Sequence, residues 1–240
     1  MRSGLSKEKE MFFSNLLKEK YIDIVILIDS TNSMDKYLDD IKSFVLRFGN
    51  DFINKMESRC HTIVKELRIK IVLFRDYATD QERAFRDSGF FLIPQNMDEF
   101  QRFVNTISMF GGNGSGTTSA LEAFALIMRS EWTTKGDARR HMVFLITNNS
   151  ARKLCDPENI TSAYYPNNMP ENLTQLGDMW HGTSERLKGM PGDRGERLIL
   201  FTPNVPPWTD MQIWNNVWTC FSENGIKIDN SSFDLMFNIW

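Results

Sequence analysis

The segment Ile24-Val-Ile-Leu-Ile-Asp29-Ser30-Thr31-Asn32-Ser33-Met34 holds the residues best suited to chemistry in this chain of 240 residues. An apolar, β-branched run leads into a carboxylate, with hydroxyls two and four positions later. A tight turn directs alternate side chains the same way, so Asp29, Thr31 and Ser33 can converge on one point. Three hard oxygens there suit Mg²⁺ or Mn²⁺, which keep several waters when few protein ligands are offered. A second reading needs no ion: Asp, Thr and Ser also end strands and cap helices.

Other chemistries fit less well. Gly111-x₄-Gly116-Thr117-Thr118 half-matches a phosphate-binding loop, but Thr117 stands where that loop needs Lys, and the segment follows a helical pattern, not a strand. A haloacid-dehalogenase-type phosphatase would use Asp29 as nucleophile and Ile146-Thr147-Asn148 as its second motif. That chemistry requires an acid two residues after the nucleophile, where Thr31 stands. It also requires acidic metal ligands after a later strand, where Thr202-Pro203-Asn204 stands. His61, His141 and His181 are scattered, with no readable Ser/His/Asp spacing. None of these catalytic constellations is complete, and no enzyme is expected.

The elements that must position Asp29 follow from periodicity. Apolar runs over 21–28, 67–74, 141–147 and 197–202 have the length and β-branching of buried strands. Between them, Leu38, Ile41, Val45, Phe48, Phe52 and Met56 form one helical stripe, and Phe100, Phe103, Val104 and Ile107 another. The stretch 120–128 is apolar nearly all round, which predicts a deeply buried helix. Alternating strands and helices imply parallel strands with right-handed crossovers. Residues 90–93, ended by Pro94, read as a short edge strand and 226–228 as the other edge, with 231–240 as a closing helix. The Asn- and Pro-rich stretch 149–170 reads as a functional or mobile connection at the carboxyl ends of the strands. Trp208, Trp214 and Trp218 read mainly as core.

Composition bounds the rest. With 41% hydrophobic residues the chain can build a substantial core, and a net charge of −3 gives no reason to expect nucleic acid or an anionic membrane. Apolar runs such as 24–28 are far short of the roughly 20 residues of a membrane helix. Residues 1–20 mix five basic with three acidic side chains and carry no apolar targeting core. Cys60, Cys155 and Cys220 show neither a Cys-x-x-Cys pair nor zinc spacing, which reads as a reducing compartment. The expectation is a cytoplasmic protein with a lead-in at 1–20 and one domain over 21–240.

Asp29-x-Thr31-x-Ser33, directly after a buried first strand, resembles the Asp-x-Ser/Thr-x-Ser signature of von Willebrand factor A domains, where it forms the first loop of a metal-ion-dependent adhesion site. Phe74-Arg75-Asp76-Tyr77 is similar to the Phe/Tyr-Arg-Asp of intracellular bacterial and protist members. Gly111-Gly112-Asn-Gly-Ser-Gly-Thr117-Thr118 resembles the Gly-Gly loop that supplies a second hydroxyl, with Ser115, Thr117 and Thr118 all available for it. The strand 141–147 followed by Asn148 matches the fourth strand and its metal-facing loop, with Asn148 where the family has Asp.

The resemblance, from about residue 21 to the C-terminus, implies a doubly wound α/β fold: a mostly parallel central sheet, helices on both faces and one short antiparallel edge strand. It implies Mg²⁺ or Mn²⁺ held by Asp29, Thr31, Ser33, Thr117 and Asn148, and a protein partner whose Asp or Glu fills an open position. With Asp29 as the one anion, the ion is held weakly and stays electrophilic towards an outside carboxylate. The partner classes implied are a kinase, phosphatase or ATPase of a stress-response, signalling or defence complex. A metal-free scaffold with a vestigial site is the alternative. Asp76, ending the second strand, either reaches the rim of the site or pairs as a structural charge with Arg75, Arg83 or Arg86, and is left off the ligand set.

Overall fold

The computed structural model describes residues 20–60, 63–112, 114, 116–136, 138–192 and 195–222 and, beyond them, 226, 228, 234 and 237. The lead-in, His61, Ser115 and most of the expected closing helix at 231–240 lie outside the described residues. Strand β1 (Lys20–Asp29) is followed by a 3₁₀ turn (Asn32–Tyr37), helix α1 (Leu38–Cys60), β2 (Val64–Phe74), the short α2 (Tyr77–Asp80), β3 (Phe85–Ile93) and α3 (Met97–Asn105). Then come β4 (Thr117–Thr118), α4 (Ala120–Met128), β5 (Arg139–Ile146), β6 (Ser150–Ala151), α5 (Pro157–Ile160) and α6 (Leu173–Trp180). The chain continues through β7 (Glu196–Phe201), α7 (Trp208–Met211) and β8 (Val217–Thr219).

Six strands form one sheet in the order β3-β2-β1-β5-β7-β8, parallel throughout except for the antiparallel pair β2/β3. A second, two-stranded parallel sheet pairs β4 with β6. β1 lies inside the main sheet and from Ile24 to Ile28 is apolar on both faces, as a strand covered on both sides must be. Ile22, Ile24, Ile26 and Ile28 pack under α1, while Val25 and Leu27 pack under α4 and α6. The rings of Phe44 and Phe48 meet Phe144 of β5 edge-on, and Phe44 also meets Phe201 of β7. Each such buried ring contributes about 1.5–3 kcal/mol by area. This two-layer cover fixes β1 in depth and direction, so its carboxyl end, at Asp29, opens among the loops.

Two edges differ from expectation. The antiparallel edge is not a short strand at 90–93 but begins at Phe85. Its first half is polar and irregular: the register shifts opposite Lys70 and Val72, Ser88 accepts from the Ile71 N–H at 3.0 Å, and Gly89 has φ 72°. A bulge of this kind erases the alternation that marks a strand in sequence. The opposite edge is Val217–Thr219, not 226–228, since Leu198, Ile199 and Leu200 pair with 217–219, and Ile226 and Ile228 carry no strand.

Candidate binding site at the carboxyl end of the sheet

The fully buried Asp29 carboxylate accepts four hydrogen bonds, all from neutral donors. Oδ1 accepts from the Thr31 backbone N–H at 2.9 Å and from its hydroxyl at 2.7 Å. Oδ2 accepts from the Thr147 hydroxyl at 2.7 Å and the Asn149 side-chain amide at 2.9 Å. Thr31 occupies the cap position of the 3₁₀ turn, yet its side chain makes no capping bond. The hydroxyls are turned inward instead: Thr31 Oγ1 lies 3.1 Å from Ser33 Oγ, which donates to Asn148 Oδ1 at 2.8 Å. Asn148 Nδ2 donates in return to the Ser33 carbonyl at 3.0 Å. The structure thus brings Asp29, Thr31, Ser33 and Asn148 together.

The glycine-rich loop forms the opposite wall. Gly111, Gly112, Gly114 and Gly116 all have positive φ, the region that glycine enters without cost from a Cβ. The Asp80 carboxylate accepts from the Gly112 N–H at 3.0 Å and occupies the space that a Cβ on Gly111 would need. A Cβ on Gly112 would meet Thr31 at 3.0 Å, so the two loops approach closely because Gly112 lacks one. Arg75 ties them from below: its Nε donates to the carbonyls of Ser30 (3.2 Å) and Phe110 (3.0 Å), and its guanidinium lies 3.6 Å from the Phe110 ring centroid. The result is a cavity of about 460 Å³ lined by Thr31, Ser33, Gly112, Gly116, Thr117 and Asn149, among others. Thr117 therefore faces the cavity. The Thr118 hydroxyl is buried, with no hydrogen-bond partner among the described residues.

Asn149 is the member that sequence reasoning missed. Its Nδ2 lies 2.9 Å from Asp29 Oδ2, 2.9 Å from Ser33 Oγ and 3.4 Å from Thr31 Oγ1. The amide sits where those three oxygens meet. Its backbone is fixed on both sides, since its N–H donates to Thr147 Oγ1 and its carbonyl accepts from the buried Trp208 indole N–H, each at 3.0 Å. Two consecutive amides at the end of a buried strand were the available signal. This arrangement does not fit Mg²⁺ or Mn²⁺: a carboxylate offers about four acceptor positions, and all four on Asp29 are taken. Burial pushes the Asp29 carboxyl above its ordinary range, against the hydrogen bonds from Thr147, Thr31 and Asn149 that pull it down.

Asp76 pairs with a different arginine from those expected for it. It is buried and accepts from Arg152 Nε at 2.8 Å, because Arg75 is spent on backbone carbonyls. Arg152 opens the connection 149–170, which is anchored rather than loose: Leu154, Asn159 and Met169 are buried. Asn159 accepts from the Ala78 N–H and donates to Ser119 Oγ. Tyr165 donates to Glu122 Oε1 at 3.1 Å, and burial pushes the Glu122 carboxyl up to about 7. His141 lies inside the sheet and His181 just after α6, neither at the cavity.

A mostly parallel sheet with helices packed on it defines an α/β domain, and the hydroxyl- and amide-lined cavity lies at the carboxyl ends of its strands. The von Willebrand factor type A domain profile matches residues 23–169, and the chain belongs to that family. The fold is similar to the open conformation of the pilus adhesin SpaC from Lactobacillus rhamnosus GG, at 14% identity and TM-score 0.50, over 92% of this chain and 30% of the adhesin. This chain thus spans about 30% of that protein's length. The proximal thread matrix protein 1 of the mussel byssus aligns at 12% identity and TM-score 0.46, over 93% of this chain and 48% of that one. At such identities the likeness concerns the fold alone. No curated protein sequence gave a significant match. No helix among the described residues is long and apolar enough to cross a membrane.

Proposed function

We propose that this chain is a protein-interaction module, and that the cavity above Asp29, Thr31 and Ser33 is where a carboxylate side chain of the partner enters. Family membership supports the general role. The observation that carries the particular site is the close approach of two loops, the hydroxyl-bearing 31–33 segment and the glycine loop, across a cavity at the strand ends. Its walls are hydroxyls, glycine backbone and an amide, neutral groups that an entering acidic side chain would have to draw from the hydrogen bonds they make to Asp29, Asn148 and Asp80. The role is binding rather than turnover: both Asp29 oxygens are engaged twice, and Thr31 stands where a phosphatase of the rival type needs its acid. A Mg²⁺ or Mn²⁺ bridge requires the Asn149 amide to leave. Kinase, phosphatase or ATPase partners in a stress-response, signalling or defence complex, and a cytoplasmic site of action, rest on the resemblance to intracellular members.

The test uses Ser33→Glu, which puts a negative charge at an exposed cavity position without touching the core. Proteins co-purifying with the full wild-type chain are quantified beside those of the variant, at matched thermal stability. Specific partners lost from the variant support the site; partners retained in full rule it out.

A further inference from the structure

We propose that the Asn149 side-chain amide is the permanent centre of this site, and that the site operates without a divalent ion. The geometry is that of a hydrogen-bonded hub. Asp29 Oδ2, Ser33 Oγ and Thr31 Oγ1 surround Nδ2 at 2.9, 2.9 and 3.4 Å, within the range for N–H···O bonds or just beyond it. Mg²⁺ holds oxygens at about 2.0–2.1 Å, so an ion at this point would draw the nearer two in by about 0.8 Å. It would also set its charge against the positive end of the amide.

The orientation of the amide is fixed by what faces it. Asp29 Oδ2 is an acceptor, so exchanging Nδ2 for Oδ1 would oppose two acceptors at 2.9 Å with no proton between them. Nor can the backbone carry the amide away readily, because Thr147 and Trp208 hold it on both sides. The remaining acceptor positions of Asp29 are filled by Thr31 and Thr147, so loss of Asn149 alone would free one position on the carboxylate. The neighbouring Asn148 adds a second neutral amide, tied to Ser33 through both of its polar atoms. A chain with one carboxylate and two amides at this point is built for internal hydrogen bonding.

The functional consequence, partner capture indifferent to divalent ions, rests on the reading of this cavity as the binding site; the exchange of ion for amide does not. The experiment is calorimetric titration of Mn²⁺, and separately Mg²⁺, into the metal-stripped full chain, with thermal unfolding in chelator and in millimolar Mn²⁺. The wild type should give no saturable heat and an unchanged melting temperature. Asn149→Asp replaces the central donor with a second carboxylate beside Asp29. It should melt below wild type in chelator, recover with Mn²⁺, and show saturable Mn²⁺ binding at concentrations at least tenfold below those at which wild type shows none. Should Asn149→Asp not fold, Asn149→Gly removes the amide without adding charge and should also gain saturable Mn²⁺ binding.

Saturable wild-type binding that Asp29→Ala abolishes would overturn the inference and leave the interaction module standing in an ion-bridged form. A folded Asn149→Asp or Asn149→Gly protein as blind to Mn²⁺ as wild type would also overturn it, since Asn149 would then not be what keeps ions out. Failure of the module itself shows elsewhere, as partners indifferent to Ser33→Glu.

Discussion

Replacing Glu122 with Gln should make the protein more stable at alkaline pH and leave it unchanged at acid pH. Glu122 is fully buried in α4, facing Asn159 and Tyr165 of the 149–170 connection. Burial is the main cause of its raised pKa; hydrogen bonds from Tyr165 and Asn159 oppose it, and the nearby Asp76 charge adds to it. The carboxyl moves from 4.5 to about 7. At about 1.4 kcal/mol per decade, the cost of holding it ionised in the folded state is about 3 kcal/mol. Between those two values the folded chain keeps a proton that the unfolded chain has released. The contribution to stability is therefore fully present below pH about 4.5 and lost as pH rises through about 7.

Gln reproduces the protonated acid. It keeps an acceptor for Tyr165 and Asn159, and its amide nitrogen replaces Oε2, which has no hydrogen-bond partner among the described residues. Protonated Glu leaves a donor in the same position, so the two should match below pH about 4.5, differ by about 1 kcal/mol at pH about 5 and diverge to as much as about 3 kcal/mol in favour of Gln by pH about 8. Urea unfolding of both proteins from pH about 5 to 8 isolates this group, because every other titration is common to both. A difference independent of pH, or a Glu122→Gln variant less stable than wild type at pH about 8, would refute the assignment of a buried, proton-dependent carboxyl here.

Three further outcomes test the scaffold of the site. Arg152→Ala removes the guanidinium paired with the buried Asp76 carboxylate and should cost about 1–3 kcal/mol in urea unfolding, since Asp76 keeps the Ala78 N–H but loses the charge-assisted bond. Gly111→Ala drives a methyl group into Asp80 at φ 74° and should lose about 1–3 kcal/mol more than Gly116→Ala, which has φ 72° but no neighbour within 4 Å. Asp29→Ala removes the acceptor for four donors, two of them from the strand end after β5, and should cost about 1–3 kcal/mol or more by thermal unfolding. A cost within error of zero would mean that the network contributes nothing to holding the loops.

The interior strands were legible because burial on both faces demands apolar runs, which 24–28 and 71–74 supply without a break. β3 was half hidden, since Asp87, Ser88 and Gly89 at its bulge break the apolar run that marks 90–93, although Ser88 accepts a ladder N–H. At the site, spacing was enough to predict that Asp29, Thr31 and Ser33 converge. It did not show what they converge on, because the group at the centre comes from Asn149, which lies 120 residues from Asp29. The partner of Asp76 was hidden for the same reason: Arg152 is 76 residues away, and nearer arginines offered themselves first. Local chemistry is written in neighbouring residues, whereas charge compensation across a parallel sheet depends on which crossover brings which loop to the same end.

That dependence gives the 149–170 connection its role. It begins at the site, where Asn149 holds Asp29 and Ser33 while Trp208 holds Asn149. A residue later, Ser150 donates to the Pro206 carbonyl at 2.7 Å and pairs with Thr117 across the small sheet. Thr117 lines the cavity, so the second wall of the site is aligned by the same segment that supplies its centre. Further along, Arg152 is committed to Asp76, Asn159 to Ser119 and Ala78, and Tyr165 to Glu122. Each of these partners belongs to the body of the domain, in or beside α2 and α4. A long polar connection held at both ends in this way serves to fix the amide and hydroxyl positions at the cavity. Trp208, fully buried, thus has two functions: its ring fills the core and its N–H holds the residue on which the site is centred.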